Sequence, residues 1–401
     1  MDRLRYVPDY RLEIGGEPIS AALRASIISL VLKTGLEGAD RLDITLANEG
    51  LRWLDNDQLK LDREMRLEVG YADGELNQVF VGEVVGLGAT FPSGTMPTAT
   101  LSAQDRRHRL QTGTKLRWFA IPVPSTGNFP LPDLATASVV ALENLMIPVI
   151  DPVGAAISVL LGGVELAVVS IADPGGGQML IRKQINESDY DFLARLAAEN
   201  GWEMFVEHDD PLGGHKLRFQ SPLDHLDADV KLAYGRSLLE FMPRMSIVGQ
   251  IFSVSSYVWV SQTKRVFTVS LGWDWDRMAL TLSVYPSMVP LGDGPTHHAI
   301  CDPLTLATAP RRILAELIPK LNKRITAAGS TLGDPRIQAG KVVEIEGAGE
   351  RFGGRYRITE ATHRIDQSGY RTSFEGRKEI WFGSIPADDQ SAMPVRIPFV
   401  G

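Results

Sequence analysis

The sequence predicts a β-rich α+β fold, and three observations carry that prediction. Short stretches of alternating apolar and polar residues dominate both ends of the chain, one amphipathic helix with a capping motif stands near the middle, and turn residues separate the segments. Alternation with period two places apolar side chains on one face of a strand, the pattern of antiparallel sheets with one wet face.

Residues 1–110 read as strands. Ile27 to Val31 is a compact apolar run, Leu42 to Leu46 and Met65 to Val69 alternate, and Val79 to Val84 follows the turn at Ala72-Asp73-Gly74. This set makes an antiparallel barrel or sandwich. Around Gln111 to Pro132 the pattern dissolves into Gly, Pro and Thr, a boundary or a long loop. A helix over 188–200 starts at Ser188, whose hydroxyl can cap the free amides with Asp191 three residues on. Phe192, Leu193, Leu196 and Ala197 share one face, Arg195 and Glu199 the other, and Gly201 ends the helix. Trp202 to Glu207 then alternates, and Leu217-Arg218-Phe219 reads as its partner across a turn holding Pro211, Gly213 and Gly214, giving a hairpin over 202–219. Strand patterns return from Leu232, at Gln250 to Val260, Val266 to Leu271 and Leu280 to Val284. A second helix is expected within Thr308 to Thr326, where Ile313, Leu314, Leu317, Ile318, Leu321 and Ile325 form a stripe, with a kink or break at Pro319. Gly340 to Arg377 again reads as strands, closing on the turn Gln367-Ser368-Gly369, and the tail beyond Trp381, with Pro386, Pro394 and Pro398, reads as extended. No repeat of solenoid or propeller period is present.

Composition narrows the function. The 401 residues are 44% apolar and 22% charged with a formal charge of −8, which describes folded domains, two to four of them by length. A single cysteine, Cys301, excludes an intrachain disulfide and any paired CxxC site. The acidic balance argues against a phosphate-binding protein. The charged N-terminus is followed by no apolar segment of signal type, so synthesis in the cytoplasm is expected. The most apolar stretch, Ser138 to Ala172, is interrupted by Glu143, Asp151 and Glu165, and its longest uncharged piece, Pro152 to Val164, is short of the ~20 residues that cross a bilayer. It reads as buried protein, with no direct membrane anchoring.

Chemistry-bearing motifs are sparse. None of GxxxxGKS/T, GxGxxG, HExxH, GxSxG or paired CxxC occurs. His208 with Asp209, Asp210 and His215 has the donor types for a metal, but a hairpin turn simply solvates charged residues. His297 and His298 with Cys301 offer zinc-type donors, yet adjacent side chains rarely converge on one ion. Asp173-Pro174-Gly175-Gly176-Gly177 lacks the lysine and helix start of a phosphate cradle and reads as a connector. Trp273 and Trp275 suit stacking on a sugar or a base, or a pair packed in a core or an interface. No catalytic, cofactor or metal residue is assigned, which favours a binding or assembly role over an enzyme.

The segment Asn186-Glu187-Ser188-Asp189-Tyr190-Asp191-Phe192 through Gly201-Trp202 resembles the helix-and-hairpin segment of the tail-hub family. That family includes phage late control protein D, the hub half of VgrG proteins and the hubs of contractile injection systems. Asp40 to Asn48, Tyr71 and Val79 to Glu83 are similar to its first barrel; Gly333-Asp334-Pro335, Gly340, Gly353 to Ile358, His363 and Gly369 to Thr372 resemble the end of its second.

The resemblance spans about residues 25–380 and implies two related tube-type β-barrels with a mixed α/β domain between them. On that reading the divisions are a first barrel at 1–110, a connecting domain at 111–231, a second barrel at 232–380 with a helical insertion at 303–326, and a tail at 381–401. It further implies a homotrimeric baseplate hub whose six barrels form a pseudo-sixfold ring, joining the inner tube or tube-initiator proteins to a trimeric spike. Other baseplate components and a tape-measure protein are further expected partners, and the assembled tail or injection particle is the final location. VgrG-type chains continue into a needle, so the expectation here is a spike on a separate polypeptide. An acidic lumen would pass acidic cargo without adsorbing it. The alternatives are a tail-associated cell-wall hydrolase and a carbohydrate-binding module using Trp273 and Trp275.

Overall fold

The structure, a computed structural model, describes residues 7–119, 182–209, 216–220, 222, 225–246, 253–260, 264–274, 279–285, 297–305 and 309–380. In chain order the elements begin with β1 Pro8–Ile14, β2 Glu17–Pro18, α1 Ala21–Ser26, β3 Ile27–Gly35, β4 Arg41–Ala47, β5 Glu64–Tyr71, β6 Asn77–Thr90, β7 Thr98–Gln104 and α2 Arg107–Leu110. There follow β8 Lys115–Phe119, β9 Arg182–Glu187, α3 Asp189–Asn200, β10 Glu203–Glu207, β11 Lys216–Gln220, β12 Val230–Ala233 and β13 Leu238–Met245. The remainder is β14 Ser253–Val260, β15 Arg265–Asp274, β16 Ala279–Tyr285, β17 His297–Thr305, α4 Ala309–Leu321, β18 Ile325–Leu332, β19 Val342–Glu346, α5 Gly349–Phe352, β20 Gly354–Asp366 and β21 Gly369–Arg377. The β-rich class and the large antiparallel sheet are as the alternation predicts.

The chain divides into two compact units, each assembled from separated segments: 1–110 with 203–245 and 325–382, and 111–202 with 246–324 and 383–401. This differs from the continuous divisions expected from the sequence. The hairpin β10–β11, expected in a connecting domain, groups with the first unit. Strands 253–305, expected in a second barrel, form a separate four-stranded sheet, β16-β15-β14-β17, in the second unit. The segment between the first-unit stretches runs from 246 to 324 and holds this sheet as well as the expected helix, at Ala309–Leu321, while residues 303–305 belong to β17. Alternation reports which strands exist; it carries no information about which edge each one finds.

The first unit is built on one thirteen-stranded sheet whose main path runs β13-β18-β21-β20-β3-β4-β7-β6-β5-β1-β2. Two lobes share it. In the first, Leu30, Leu32, Leu42, Ile44, Leu67, Phe80 and Leu101 turn inward to one core; in the second, Leu238, Ile345, Tyr356, Ile358 and Phe374 make another. The lobes repeat the same strand order, β3-β4-β7-β6-β5 against β13-β18-β21-β20-β19. Register repeats as well. Arg41↔Gln104 through Ala47↔Thr98 corresponds to Thr326↔Arg377 through Leu332↔Arg371, seven unbroken pairs in each. The register shift between Val84 and Gly86 in β6 recurs between Ile358 and Glu360 in β20, and the shift between Ile27 and Ser29 in β3 recurs between Leu238 and Glu240 in β13. The two lobes join within the chain by antiparallel pairing of β20 with β3, from Glu360↔Gly35 to Ile365↔Leu30.

In the second unit α3 has the cap that its sequence encodes: Ser188 Oγ accepts from the Asp191 N–H at 3.0 Å and donates to the Asp191 carboxylate at 2.7 Å. Gly201 ends it in the left-handed region at φ +69°, and a Cβ there would lie 3.3 Å from Ala315 of α4. Helix α4 continues through Pro319 to Leu321, where a kink or a break was expected; it does not break there, because the proline falls in the last turn and little helix remains to disrupt. Ile313, Leu317 and Leu321 are buried. The stretch 138–172, the loop at 173–177 and the tail after 381 lie outside the described residues.

Candidate functional site

The conspicuous chemistry of the first unit is two buried arginines, one per lobe, that both reach the segment starting at Glu203. Arg107 sits at the start of α2, just past β7, and is 1% exposed. Its guanidinium bonds Asp105 at 2.8 and 2.9 Å and Asp40 at 2.7 Å, and it donates to the carbonyls of Gly35 and Met204. Asp105 also accepts the Asp40 N–H at 2.7 Å. His208, at the end of β10, closes the cluster: its Nδ1 accepts from the Val81 N–H at 3.1 Å and its Nε2 donates to Asp40 at 2.8 Å. These partners define a neutral imidazole protonated on Nε2. Burial pushes the Asp40 carboxyl up, but the Arg107 guanidinium, the His208 bond and the Gly35 N–H outweigh it and hold the carboxyl below its usual range.

Sequence reasoning placed His208 on a solvated turn. It is buried, because the start of that turn packs on β6, where its ring lies 5.4 Å from Phe80. Asp209 is exposed, and Asp210 and His215 lie outside the described residues, as do the side chains of His297, His298 and Cys301. Asp40, Asp105 and His208 together bring three ligand atoms within 4.8 Å of one another. A guanidinium already bridges both carboxylates, so their charge is compensated and the trio fits an ion-pair cluster rather than a cation site.

Arg357, on β20, plays the corresponding part in the second lobe. It bonds Glu379 at 2.8 and 3.2 Å and donates to the carbonyls of Gly340, Pro222 and His225. Arg377 pairs with both Glu203 and Glu379. Burial raises the Glu203 carboxyl above its ordinary value despite Arg377 and Arg357 beside it. By register, Arg357 occupies the position of Glu83, and Glu379 that of Arg106. Glu83 and Arg106 form the same ion pair with the signs reversed, at 3.5 Å.

Where the lobes join, His363 is buried with its Nδ1 2.9 Å from the Tyr370 hydroxyl and 3.1 Å from Thr372 Oγ1. Burial depresses its pKa to about 4, the Ile337 carbonyl and Asp334 opposing this. Tyr71 donates to the Gly333 carbonyl at 2.8 Å and flanks an open groove of about 580 Å³ that Arg236, Asp334 and Arg336 also line. The imidazole–hydroxyl contact at His363 lies in the core. Trp273 is buried in β15, and Trp275 lies outside the described residues. Among the described residues no helix is long and apolar enough to cross a membrane.

These features define a duplicated sheet with buried ion pairs in both lobes. Its fold is similar to that of several solved structures. A tail protein from Neisseria meningitidis MC58 superposes with a TM-score of 0.55 at 11% identity, covering 94% of this chain and 99% of that one. The 43 kDa tail protein of prophage MuSo2 from Shewanella oneidensis gives 0.54 at 13% identity, over 92% and 98%. An E. coli component of the type VI secretion system, described as structurally similar to the bacteriophage T4 tail proteins gp27 and gp5, gives 0.52 at 12% identity, over 94% and 79%. No protein-family model matches the sequence, and no curated protein matches it. The chain thus has the fold of phage-tail and type VI secretion proteins, and its likeness to the tail-hub family holds at the level of the fold.

Proposed function

We propose that this chain is a structural baseplate hub, the central adaptor of a contractile tail or injection system, without catalytic activity. The observation that carries this reading is the duplication of the five-stranded lobe with its register and both register shifts. A chain holding two equivalent lobes converts a trimer into six equivalent positions, which is what a part between a sixfold tube and a threefold spike requires. In this proposal the partners are two further copies of the chain, a trimeric spike, inner-tube or tube-initiator proteins, other baseplate components and the tape-measure protein. The protein acts inside the assembled particle. Its buried charges are paired and serve rigidity, which suits a part that transmits force.

Light scattering and negative-stain averaging of the purified chain test this reading. A particle of 132 kDa, three chains of 44.0 kDa, with a six-lobed rim and a central channel supports it. A chain that stays at 44 kDa with spike and tube partners present overturns it.

A further inference from the structure

The joint between the two lobes inside one chain has counterparts at two strand edges that are unpaired among the described residues. Strand β20 has two halves. Gly354 to Arg357 pairs with β19, and Glu360 to Ile365, past the register shift, pairs with β3 of the first lobe. Strand β6 is its equivalent and is divided at the equivalent shift. Asn77 to Glu83 pairs with β5, but past Val84 only β7 lies beside it, and among the described residues no strand pairs with its other edge over 85–90. The equivalent of β3 is β13, the end strand of the sheet, which pairs with β18 alone. Among the described residues, therefore, both halves of the β20–β3 joint occur a second time without being joined to each other: a β6 edge on the first lobe and a β13 edge on the second.

We infer that copies of this chain assemble head to tail by antiparallel pairing of residues 85–90 of β6 in one copy with β13 of the next. Transferring the internal register sets Leu87 opposite Met245 and Thr90 opposite Met242, as Ala361 lies opposite Thr34 and Arg364 opposite Val31. Surface chemistry agrees. Residues 84–104 hold no charged side chain in a protein that is 22% charged, and Leu87, Phe91, Met242 and Met245 are between 36% and 62% exposed. The β6 side is uncharged and β13 carries one charge of each sign, Glu240 and Arg244, so two copies of charge −8 meet there without net repulsion. Of the other open edges among the described residues, β1 with β2 carries Pro8, Asp9, Arg11 and Pro18, residues that discourage strand addition, and β12 is only four residues long. Pro243 costs the β13 edge at most one donor. Because the two edges differ, the contact is heterologous, and it closes into a ring when its rotation divides a full turn. Closure and the number of copies rest on the hub reading.

Cysteine pairing tests the joint. In a Cys301→Ser background, Leu87→Cys and Met245→Cys chains are made singly and together. After mild oxidation, an equimolar mixture of the two single variants is expected to give disulfide-linked dimers that neither gives alone, and the double variant a covalent 132 kDa species. Leu87→Lys, at an exposed position, is expected to keep the circular dichroism of the parent chain and to shift its mass to 44 kDa. Cross-linking of one single variant with itself overturns the head-to-tail geometry. A parent chain of 132 kDa with neither cross-links nor sensitivity to Leu87→Lys overturns the edge assignment and leaves the hub reading standing. A parent chain that stays monomeric up to its solubility, with spike and tube partners present, overturns both.

Discussion

Replacing Arg107 by methionine is the sharpest probe of the first-lobe clamp. The guanidinium is the compensating cation for Asp40 and Asp105, 3% and 0% exposed, and it also serves the Gly35 and Met204 carbonyls. Removing one member of a buried ion pair costs about 3–5 kcal/mol, because the remaining charge stays buried. A typical domain has about 5–15 kcal/mol in total, so Arg107→Met should leave the first lobe marginal at pH 7. The pH dependence gives an independent sign. In the parent chain the Asp40 carboxyl lies below its unfolded value, so its contribution is complete above about pH 4 and is lost only as pH falls through the lower folded value. Without Arg107, desolvation dominates and Asp40 takes up a proton on folding. The variant then recovers stability relative to the parent between pH 7 and pH 5, by up to about 1.4 kcal/mol per pH unit. Urea unfolding followed by the fluorescence of Trp53, buried in that lobe, measures both quantities. A deficit under about 1 kcal/mol, or one equal at pH 7 and pH 5, refutes the reasoning.

Other expectations follow from single positions. His363→Gln should flatten the stability loss of the parent between pH 6.5 and pH 4, about 3 kcal/mol, because the unfolded chain protonates this histidine in that window and the folded one resists until about pH 4. A side-chain NMR titration of His363 with a midpoint near 6.5 would contradict this. Gly333→Ala should destabilise the lobe joint by about 2 kcal/mol or more, since the new Cβ would fall 2.0 Å from the Tyr370 ring; an unchanged melting temperature would count against the packing described. Ser188→Ala should cost about 1 kcal/mol through loss of the α3 cap and Gly201→Ala about as much through its positive φ, both read by urea midpoints.

Much of this fold was legible before the structure. Ser188, Asp191 and Gly201 bound their helix by local chemistry alone, and β4, β5 and β20 follow their alternation, because both signals act over a few residues. What the chain segments do at long range was not legible. Strands 253–305 alternate like the barrel strands on either side of them, yet they form their own sheet against α4. His208 looked like a turn residue because its partners, Asp40 and Val81, lie over a hundred positions away. Arg107 and Arg357 carried no motif, since a buried arginine is defined by the carboxylates and carbonyls that fold around it. The repeat was likewise invisible: Glu83 and Arg357 occupy one structural position with opposite charge, so identity-based comparison of the two halves scores a mismatch where the geometry is the same.

That reversal of sign bears on how the polypeptide reaches its native arrangement. Two lobes of equal strand order and register expose a nascent chain to exchange errors, in which the β6–β7 segment of one half pairs with the β21 segment of the other. In such a product Glu83 would meet Glu379, a like-charge contact between two buried carboxylates, and the buried Arg357 would meet the partly exposed Arg106. Correct pairing brings opposite charges together in both places. The complementary polarity acts as a parity label on otherwise interchangeable halves, and it makes the exchanged topology the costlier of the two wherever both can form.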